Sequence, residues 1–193
     1  MCIRDRLSSP LAVTVNAPVN LVANGNFATG DFTNWTLGGN DSNANVQQVF
    51  VDSIAQGGST YAAAIGSIGA DGTISQTIAT TPGQTYTLSF WLQNDGSGGN
   101  DFQAIWNGQT LLSLTNAAQS GYTEYTYTVT ATGSTSTLEF SAANGPSQWD
   151  LDNISLTASG SSPGCSSPSP PARNRRTGAL NRPTGWNSRS ANL

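Results

Sequence analysis

A strict alternation of polar and apolar residues in the segment QTYTLSFWLQN, residues 84–94, is the feature that most limits what this chain can fold into. Four large apolar side chains fall on one side of an extended backbone: Tyr86, Leu88, Phe90 and Leu92. Trp91 falls on the other side, together with the polar residues Thr85, Thr87 and Ser89. Successive side chains of a β-strand point to opposite faces, so this segment predicts a strand with one face in a core and the other facing water.

The same period of two recurs along the chain. It is present in YTEYTYTVTA at 122–131 and STLEFSA at 136–142, and further strands are predicted at 46–54, 61–65, 73–79, 102–106, 110–114 and 151–156. Turn-forming pairs such as Asp71-Gly72 and Asn107-Gly108 separate these segments, and no segment has a sustained helical period. Nine or ten short strands predict one all-β domain at residues 18–158, an antiparallel β-sandwich of the jelly-roll type.

The predicted domain carries no cationic side chain. The chain has no His, and its seven cationic residues, all Arg, lie in the terminal segments, so residues 7–172 contain ten carboxylates and no positive side chain. Binding to nucleic acid or to an anionic membrane surface depends on cations, so neither is expected as a partner. Without His or Lys the domain also cannot build a Ser-His-Asp triad, a His-ligated zinc site or a Schiff base.

The two terminal segments differ in composition from the middle of the chain. Residues 1–17 begin with MCIRDR, which resembles foreign sequence, and the Ser-, Pro- and Arg-rich residues 159–193 indicate either a disordered tail or a change of reading frame. The chain is therefore expected to be a fragment or a flawed translation, and no secretory signal is visible. No run reaches 18 apolar residues, so membrane insertion is not expected. The Asn-, Thr-, Ser- and Gly-rich body predicts an extracellular or cell-surface bacterial domain, which we expect to be monomeric.

Two stretches resemble a known family. The stretch NLVANGNFATGDFTNW, residues 20–35, is similar to the entry motif of family 4 and 9 type carbohydrate-binding modules, which are galactose-binding-domain-like jelly rolls. The stretch WDLDNISLT, residues 149–157, resembles their closing strand. The segments TLSFWL, NDF and YTYTVTAT together resemble exported bacterial surface proteins that carry a C-terminal sorting signal. The resemblance implies a lectin-like domain without catalytic activity.

Among the tryptophans, Trp91 is the candidate for a sugar platform. It lies on the polar side of its strand with Thr87, Ser89 and Gln93, and Gln103 is expected on a neighbouring strand. An indole ring among hydroxyl and amide groups can stack on the apolar face of a sugar. The alternative, that a loop covers Trp91, stays open from the sequence, whereas Trp35 and Trp106 are predicted to be core residues.

Asp150 and Asp152 stand two residues apart on the last predicted strand, so their carboxylates share one face. Such a pair is compatible with a small glycosidase. Carboxylates in a domain without cations are also candidates for calcium binding. The resemblance implies a structural calcium near Asp152, but the Glu that the family has after the Phe is replaced here by Ala28. The expected calcium ligands are therefore Asp152, with Asp31 or the carbonyl oxygens of Asn24 and Asn26 in place of the missing Glu.

The expected function is that of a non-catalytic carbohydrate-binding module that binds neutral glycans with modest affinity. A domain without cations disfavours anionic polysaccharides, and an exposed site gains little free energy per hydrogen bond. The alternatives are a structural spacer or adhesive matrix domain without a sugar site and, less expected, a small glycosidase.

Overall fold

The structure, a computed structural model, describes residues 18–40, 47–96 and 98–160 and contains ten strands in those ranges. Their bounds, in chain order, are β1 Thr36–Gly39, β2 Gln47–Val51, β3 Tyr61–Ile65, β4 Gly72–Ala79, β5 Thr85–Asn94, β6 Asp101–Trp106, β7 Gln109–Thr115, β8 Ser120–Thr130, β9 Thr135–Ala143 and β10 Trp149–Ala158. The described ranges contain no helix, and in particular none with the length and apolarity needed to cross a membrane.

The strands form two antiparallel five-stranded sheets. Sheet I has the order β1-β4-β9-β6-β7, and sheet II has the order β2-β3-β10-β5-β8. Few neighbours in either sheet are consecutive in the chain, because the chain crosses repeatedly from one sheet to the other, as in a jelly roll. The predicted fold class is therefore confirmed. The sequence pattern missed only β1, a four-residue strand whose two glycines and exposed side chains leave no alternation to detect.

The core lies between the two sheets and consists of the apolar side chains that the alternating strands direct inward. In β5 every second residue from Tyr86 to Asn94 is buried, as its pattern predicted. Phe90 of sheet II packs edge-on against Phe140 of sheet I, with ring centroids 5.1 Å apart. Phe102 and Trp149 make a second contact between the sheets, at 5.4 Å. The two sheets are thus held together by aromatic rings.

The entry stretch runs beside β10. The Leu21 N–H donates to the Leu156 carbonyl oxygen (2.9 Å), and the Ile154 N–H donates to the Gly25 carbonyl oxygen (2.8 Å). The stretch forms turns and no regular strand. Trp35, at its end, is buried and stacks at a tilt on Phe27, with ring centroids 5.9 Å apart, so its predicted core role is confirmed.

Trp106 also lies in the core, at 4% exposure, and its indole N–H donates to the Thr130 carbonyl oxygen (3.2 Å). The predictions for the terminal segments concern residues 1–17 and, beyond Gly160, 161–193, which lie outside the described residues.

Gly25 allows the entry stretch to approach β10 closely. A Cβ atom at this position would overlap the Ile154 carbonyl oxygen. We expect Gly25→Ala to lower the free energy of unfolding by about 1–3 kcal/mol, as overpacking does. Urea denaturation followed by tryptophan fluorescence measures it.

Gly121→Ala is the matched control, since no heavy atom lies within 4 Å of a Cβ added there. Its stability should stay within about 0.5 kcal/mol of the parent. Equal stabilities for the two variants would contradict the close approach at Gly25.

Candidate functional site

The outer face of sheet II consists of the side chains that its five strands direct away from the core. On β5 these are Thr85, Thr87, Ser89, Trp91 and Gln93, which alternate with buried residues. Residues paired across antiparallel strands point to the same side, so the pairing registers extend this face over β10 and β8. Trp91 lies between Asp152 of β10 and Glu124 of β8.

Trp91 is half-buried on this face, and its indole N–H donates to no group among the described residues. Within the described ranges, three polar side-chain atoms are buried without a hydrogen-bond partner, in Ser67, Gln93 and Asp101, and the Trp91 indole nitrogen is not among them. This N–H is therefore in contact with solvent. Trp91 therefore combines a ring surface with a free hydrogen-bond donor. Three of the polar residues predicted to accompany it, Thr87, Ser89 and Gln93, share its strand and its face.

Gln103 does not lie near Trp91. It is on β6, in sheet I, where its Cα partners are Ser141 and Ser113. The prediction that Gln103 joins the Trp91 surface is wrong in this respect, because β5 and β6 are consecutive in the chain but belong to opposite sheets. A polar residue that faces outward on one sheet of a sandwich points away from the outer face of the other.

On one side of Trp91 the outer face of sheet II carries only hydroxyl side chains. One row is Ser155, Ser89 and Thr126, and the next row is Thr157, Thr87 and Thr128. In the third row Thr85 pairs with Thr130, and the Ser159 N–H donates to the Thr85 carbonyl oxygen (3.0 Å). These nine residues, eight on three strands and Ser159 directly after β10, are called the hydroxyl field.

On the other side of Trp91 the face carries carboxylates and is covered. Asp150 and Asp152 point outward, yet only 2% and 0% of their surfaces are exposed. The Tyr122 hydroxyl on β8 donates to Asp52 Oδ2 (2.7 Å), which follows β2 at the opposite edge of the sheet. This bond therefore crosses the face. Residues 52–60, here called the strap, cover this part of the sheet.

Burial without cations raises the pKa values of these acids. Desolvation raises the pKa of Asp150 to about 7, with the negative charge of Asp95 as the next cause. Desolvation also raises the pKa of Asp152 to about 6, against the opposing hydrogen bonds from the backbone of Gln56 and Asn153. For the Tyr122 hydroxyl, desolvation and the bond to Asp52 raise the pKa.

Gln93 belongs to the carboxylate side of Trp91. Its Nε2 donates to Asp95 Oδ1 (2.6 Å) and to Asp150 Oδ2 (3.4 Å), and its Oε1 is buried with no partner in the protein. Gln148 Nε2 donates to the other Asp150 oxygen (2.7 Å). The amide of Gln93 is thus used to bind carboxylates, which leaves Ser89 as the polar neighbour of Trp91 on β5 that is open to a ligand.

Asp152, the expected calcium ligand, accepts a hydrogen bond on each carboxylate oxygen. The Gln56 N–H donates to Oδ2 and the Asn153 N–H donates to Oδ1, both at 2.6 Å. Each of these oxygens keeps a second lone pair, so the two bonds do not by themselves exclude a cation. No group of three or more His, Cys, Asp or Glu side chains within the described ranges is placed to hold a metal ion.

The other three expected ligands lie in the entry stretch and stabilise its turns. Asp31 Oδ1 accepts from the Thr29 hydroxyl (2.8 Å) and the Thr33 N–H (2.9 Å). The Asn24 carbonyl oxygen accepts from the Trp35 indole N–H (3.2 Å), and the Asn26 carbonyl oxygen accepts from the Ser59 hydroxyl (2.6 Å). In this arrangement each expected ligand accepts hydrogen bonds within the protein. Calcium binding stays a prediction.

The outer face of sheet I is the alternative surface. It presents Gln103, Ser141 and Glu139, and the Ser141 hydroxyl donates to Asp71 Oδ2 (2.7 Å). Burial and the neighbouring Asp71 raise the pKa of Asp101 there. None of the residues that the strands of sheet I direct outward is aromatic. Within the described strands this face therefore offers polar groups but no ring on which a ligand could stack.

Several residues of the site were not identified from the sequence. Glu124, Thr126 and Thr128 face outward in the alternation of β8, so the pattern itself could have assigned them. Asp52 and Tyr122 are 70 residues apart in the chain, and only the folded strap brings them together.

Comparison with known proteins gives one family and a shared fold. Residues 19–148 match the model of a family described as carbohydrate binding domain. TmCBM61 in complex with beta-1,4-galactotriose has a TM-score of 0.55 at 16% identity, over 72% of this chain and 99% of that one. Family 16 Carbohydrate Binding Module-2 has a TM-score of 0.53 at 21% identity, over 72% and 99%.

The enzymatically active domain of tailspike protein 4 from bacteriophage CBA120 also shares the fold, with a TM-score of 0.55 at 16% identity. The match covers 72% of this chain but only 21% of the tailspike chain, so this chain spans about a fifth of that protein. No curated protein sequence is significantly similar to the chain.

The raised pKa of Asp150 predicts a pH-dependent stability. A native-state pKa of about 7 against an ordinary value of 3.8 means that the folded protein binds more protons than the unfolded chain between these values. The free energy of unfolding should therefore fall as the pH rises from about 4 to about 7. Asp150→Asn should flatten the part of the slope above pH 6, measured by urea unfolding at several pH values.

Asp31→Asn is the control, because the hydrogen bonds from Thr33 and Thr29 lower the pKa of this exposed carboxyl. It should not flatten the slope. A parent protein that gains stability between pH 5 and pH 8 would contradict the account of the buried cluster.

Proposed function

The chain belongs to the family described as carbohydrate binding domain, and from that premise we propose that it binds neutral glycans, without acting on them, at Trp91 on the outer face of sheet II. The observation that carries the proposal is the placement of this half-buried indole beside the hydroxyl field, with its N–H free. Aromatic side chains supply large apolar area with little loss of conformational freedom, so a sugar ring can stack on Trp91 while its hydroxyls meet neighbouring polar groups.

The charge of the domain supports a neutral ligand. Residues 7–172 contain no Lys, Arg or His, and the carboxylate of Glu124 is exposed directly beside Trp91. Uronic acids and sulfated sugars would meet negative charge with no cation to offset it. A carboxylate can instead accept hydrogen bonds from the hydroxyls of a neutral sugar.

The state of the carboxylates supports binding without catalysis. Asp150 and Asp152 are buried beneath the strap and are held by donors from Gln148, Gln93, Gln56 and Asn153. A glycosidase needs two carboxyl groups on either side of an accessible scissile bond. The neighbouring pair on β10 is covered, so no substrate can reach it without displacing the strap.

The affinity should be modest, because an exposed site exchanges bonds to water for bonds to sugar at a small net gain. Dissociation constants in the micromolar to millimolar range, about −4 to −8 kcal/mol, are expected. We also propose that the domain acts outside the cell or at its surface, because the Trp91 surface fits glycan polymers. We further propose that the domain is monomeric.

Trp91→Ala tests the proposal. On an array of neutral and anionic glycans, and then by calorimetry with the best ligand, the parent should bind neutral glycans. The variant should bind at least about tenfold more weakly, because burial of a large aromatic side chain contributes that much or more. Its melting temperature should stay close to that of the parent.

Gln103→Ala is the matched control, since Gln103 lies on the opposite sheet. It should bind like the parent. Binding that survives Trp91→Ala, or a parent that prefers anionic glycans, would refute the proposed site. A parent that binds no glycan on the array would favour the structural spacer or adhesive matrix domain.

A further inference from the structure

We infer that the hydroxyl field is the continuation of the Trp91 site, and that the ligand is an extended neutral oligosaccharide that lies along β5 from Trp91 toward Thr85. This inference rests on the proposed function. It adds the part of the ligand that Trp91 does not contact, and the direction in which the ligand extends.

The hydroxyl field is regular because its residues occupy successive outward positions of three neighbouring strands. Ser155 pairs with Ser89, and Ser89 pairs with Thr126, so the first row crosses β10, β5 and β8 without interruption. Neighbouring strands lie about 4.8 Å apart, and outward positions on one strand repeat every ~6.8 Å. From Trp91 to Thr85 the field extends about 20 Å along β5, which is long enough for several sugar rings.

Most hydroxyls of the field are free to bind a ligand. The one side-chain hydrogen bond within the field joins Thr87 Oγ1 and Ser159 Oγ (3.1 Å). The other seven hydroxyls donate to or accept from no group among the described residues. The three on β8, Thr126, Thr128 and Thr130, are exposed. Each hydroxyl is both a donor and an acceptor, and so is each hydroxyl of a sugar.

As far as the described residues go, the face is open on only one side of Trp91. Beyond Trp91 toward Gln93, the Tyr122–Asp52 hydrogen bond crosses the sheet and the strap covers Asp150 and Asp152. Toward Ser89 the paired strand positions carry small hydroxyl side chains, beginning after Asn153, whose side chain lies against Gly57 of the strap. A glycan stacked on Trp91 can therefore extend along β5 in one direction, toward Thr85.

The field has no charge and contributes little per contact, so affinity has to accumulate with ligand length. A hydrogen bond exchanged against water contributes a small net free energy, and several such bonds together change affinity by about tenfold. Longer oligomers should therefore bind more tightly. Trp91 provides the contact that every oligomer makes, and the hydroxyl field provides the additional affinity of the longer ones.

The test compares β-1,4-linked galactose, glucose and xylose oligomers of two and six residues by calorimetry. For whichever series the parent binds, the hexamer should bind about tenfold more tightly than the dimer. The triple variant Thr85→Val, Thr128→Val, Thr130→Val removes three hydroxyls in the two rows far from Trp91 that have no partner among the described residues, so the fold should stand. It should bind the dimer like the parent and lose most of the gain for the hexamer.

The matched control is the triple variant Ser75→Ala, Thr77→Val, Thr137→Val on the outer face of sheet I, which should keep the gain. The inference would be overturned if the parent bound dimer and hexamer equally well, or if the variant in the field kept the higher affinity for the hexamer. In either case, dimer binding that depends on Trp91 would still support the proposed function. Dimer and hexamer binding that both survive Trp91→Ala, or a parent that binds no oligomer, would end the proposed function and the inference with it.

Discussion

A domain without a single cationic side chain must hold each buried acid with N–H and O–H donors, and the arrangement of sheet II follows from this constraint. The central strand β10 directs Asp150 and Asp152 outward while its alternate residues fill the core. Backbone amides of the strap and the Gln side chains supply the donors for these acids. The Tyr122 hydroxyl holds Asp52, and with it the start of the strap, from the far edge of the sheet. The buried acids thus determine which half of the face is covered.

Trp91 lies at the boundary between the half of the outer face of sheet II that the strap covers and the half that is open. Its neighbour Asp152 is fully buried, whereas its neighbour Glu124 is exposed. On the open half only uncharged hydroxyls follow, so a ligand meets an aromatic ring at one end and a regular polar surface beyond it. The same lack of cations that leaves the buried acids to N–H donors also disfavours anionic ligands. The absence of cationic side chains therefore affects how the buried acids are held, where the proposed site lies and which kind of ligand it binds.

Much of the fold could be predicted from the sequence, because half-buried strands display their own period, and β5 and β8 show it over ten and eleven residues. The outward position of Trp91 followed from the same period. The spatial neighbours of a residue could not be predicted in this way, because alternation gives the side of a strand on which a residue lies but not the sheet to which the strand belongs. The incorrect prediction that Gln103 lies beside Trp91 has this cause. Loop packing has no period at all, so the cover over Asp150 and Asp152 and the use of Gln93 to bind carboxylates became visible only in the structure.

The most direct test of the account is a map of backbone amide and indole chemical shifts during titration with the neutral oligomer that binds best. The account predicts that the largest changes fall on the Trp91 indole N–H and on β5, β8 and the end of β10 around Ser155, with little change on sheet I. Changes centred on Gln103, Ser141 and their neighbours in sheet I, with an unchanged Trp91 indole signal, would contradict it.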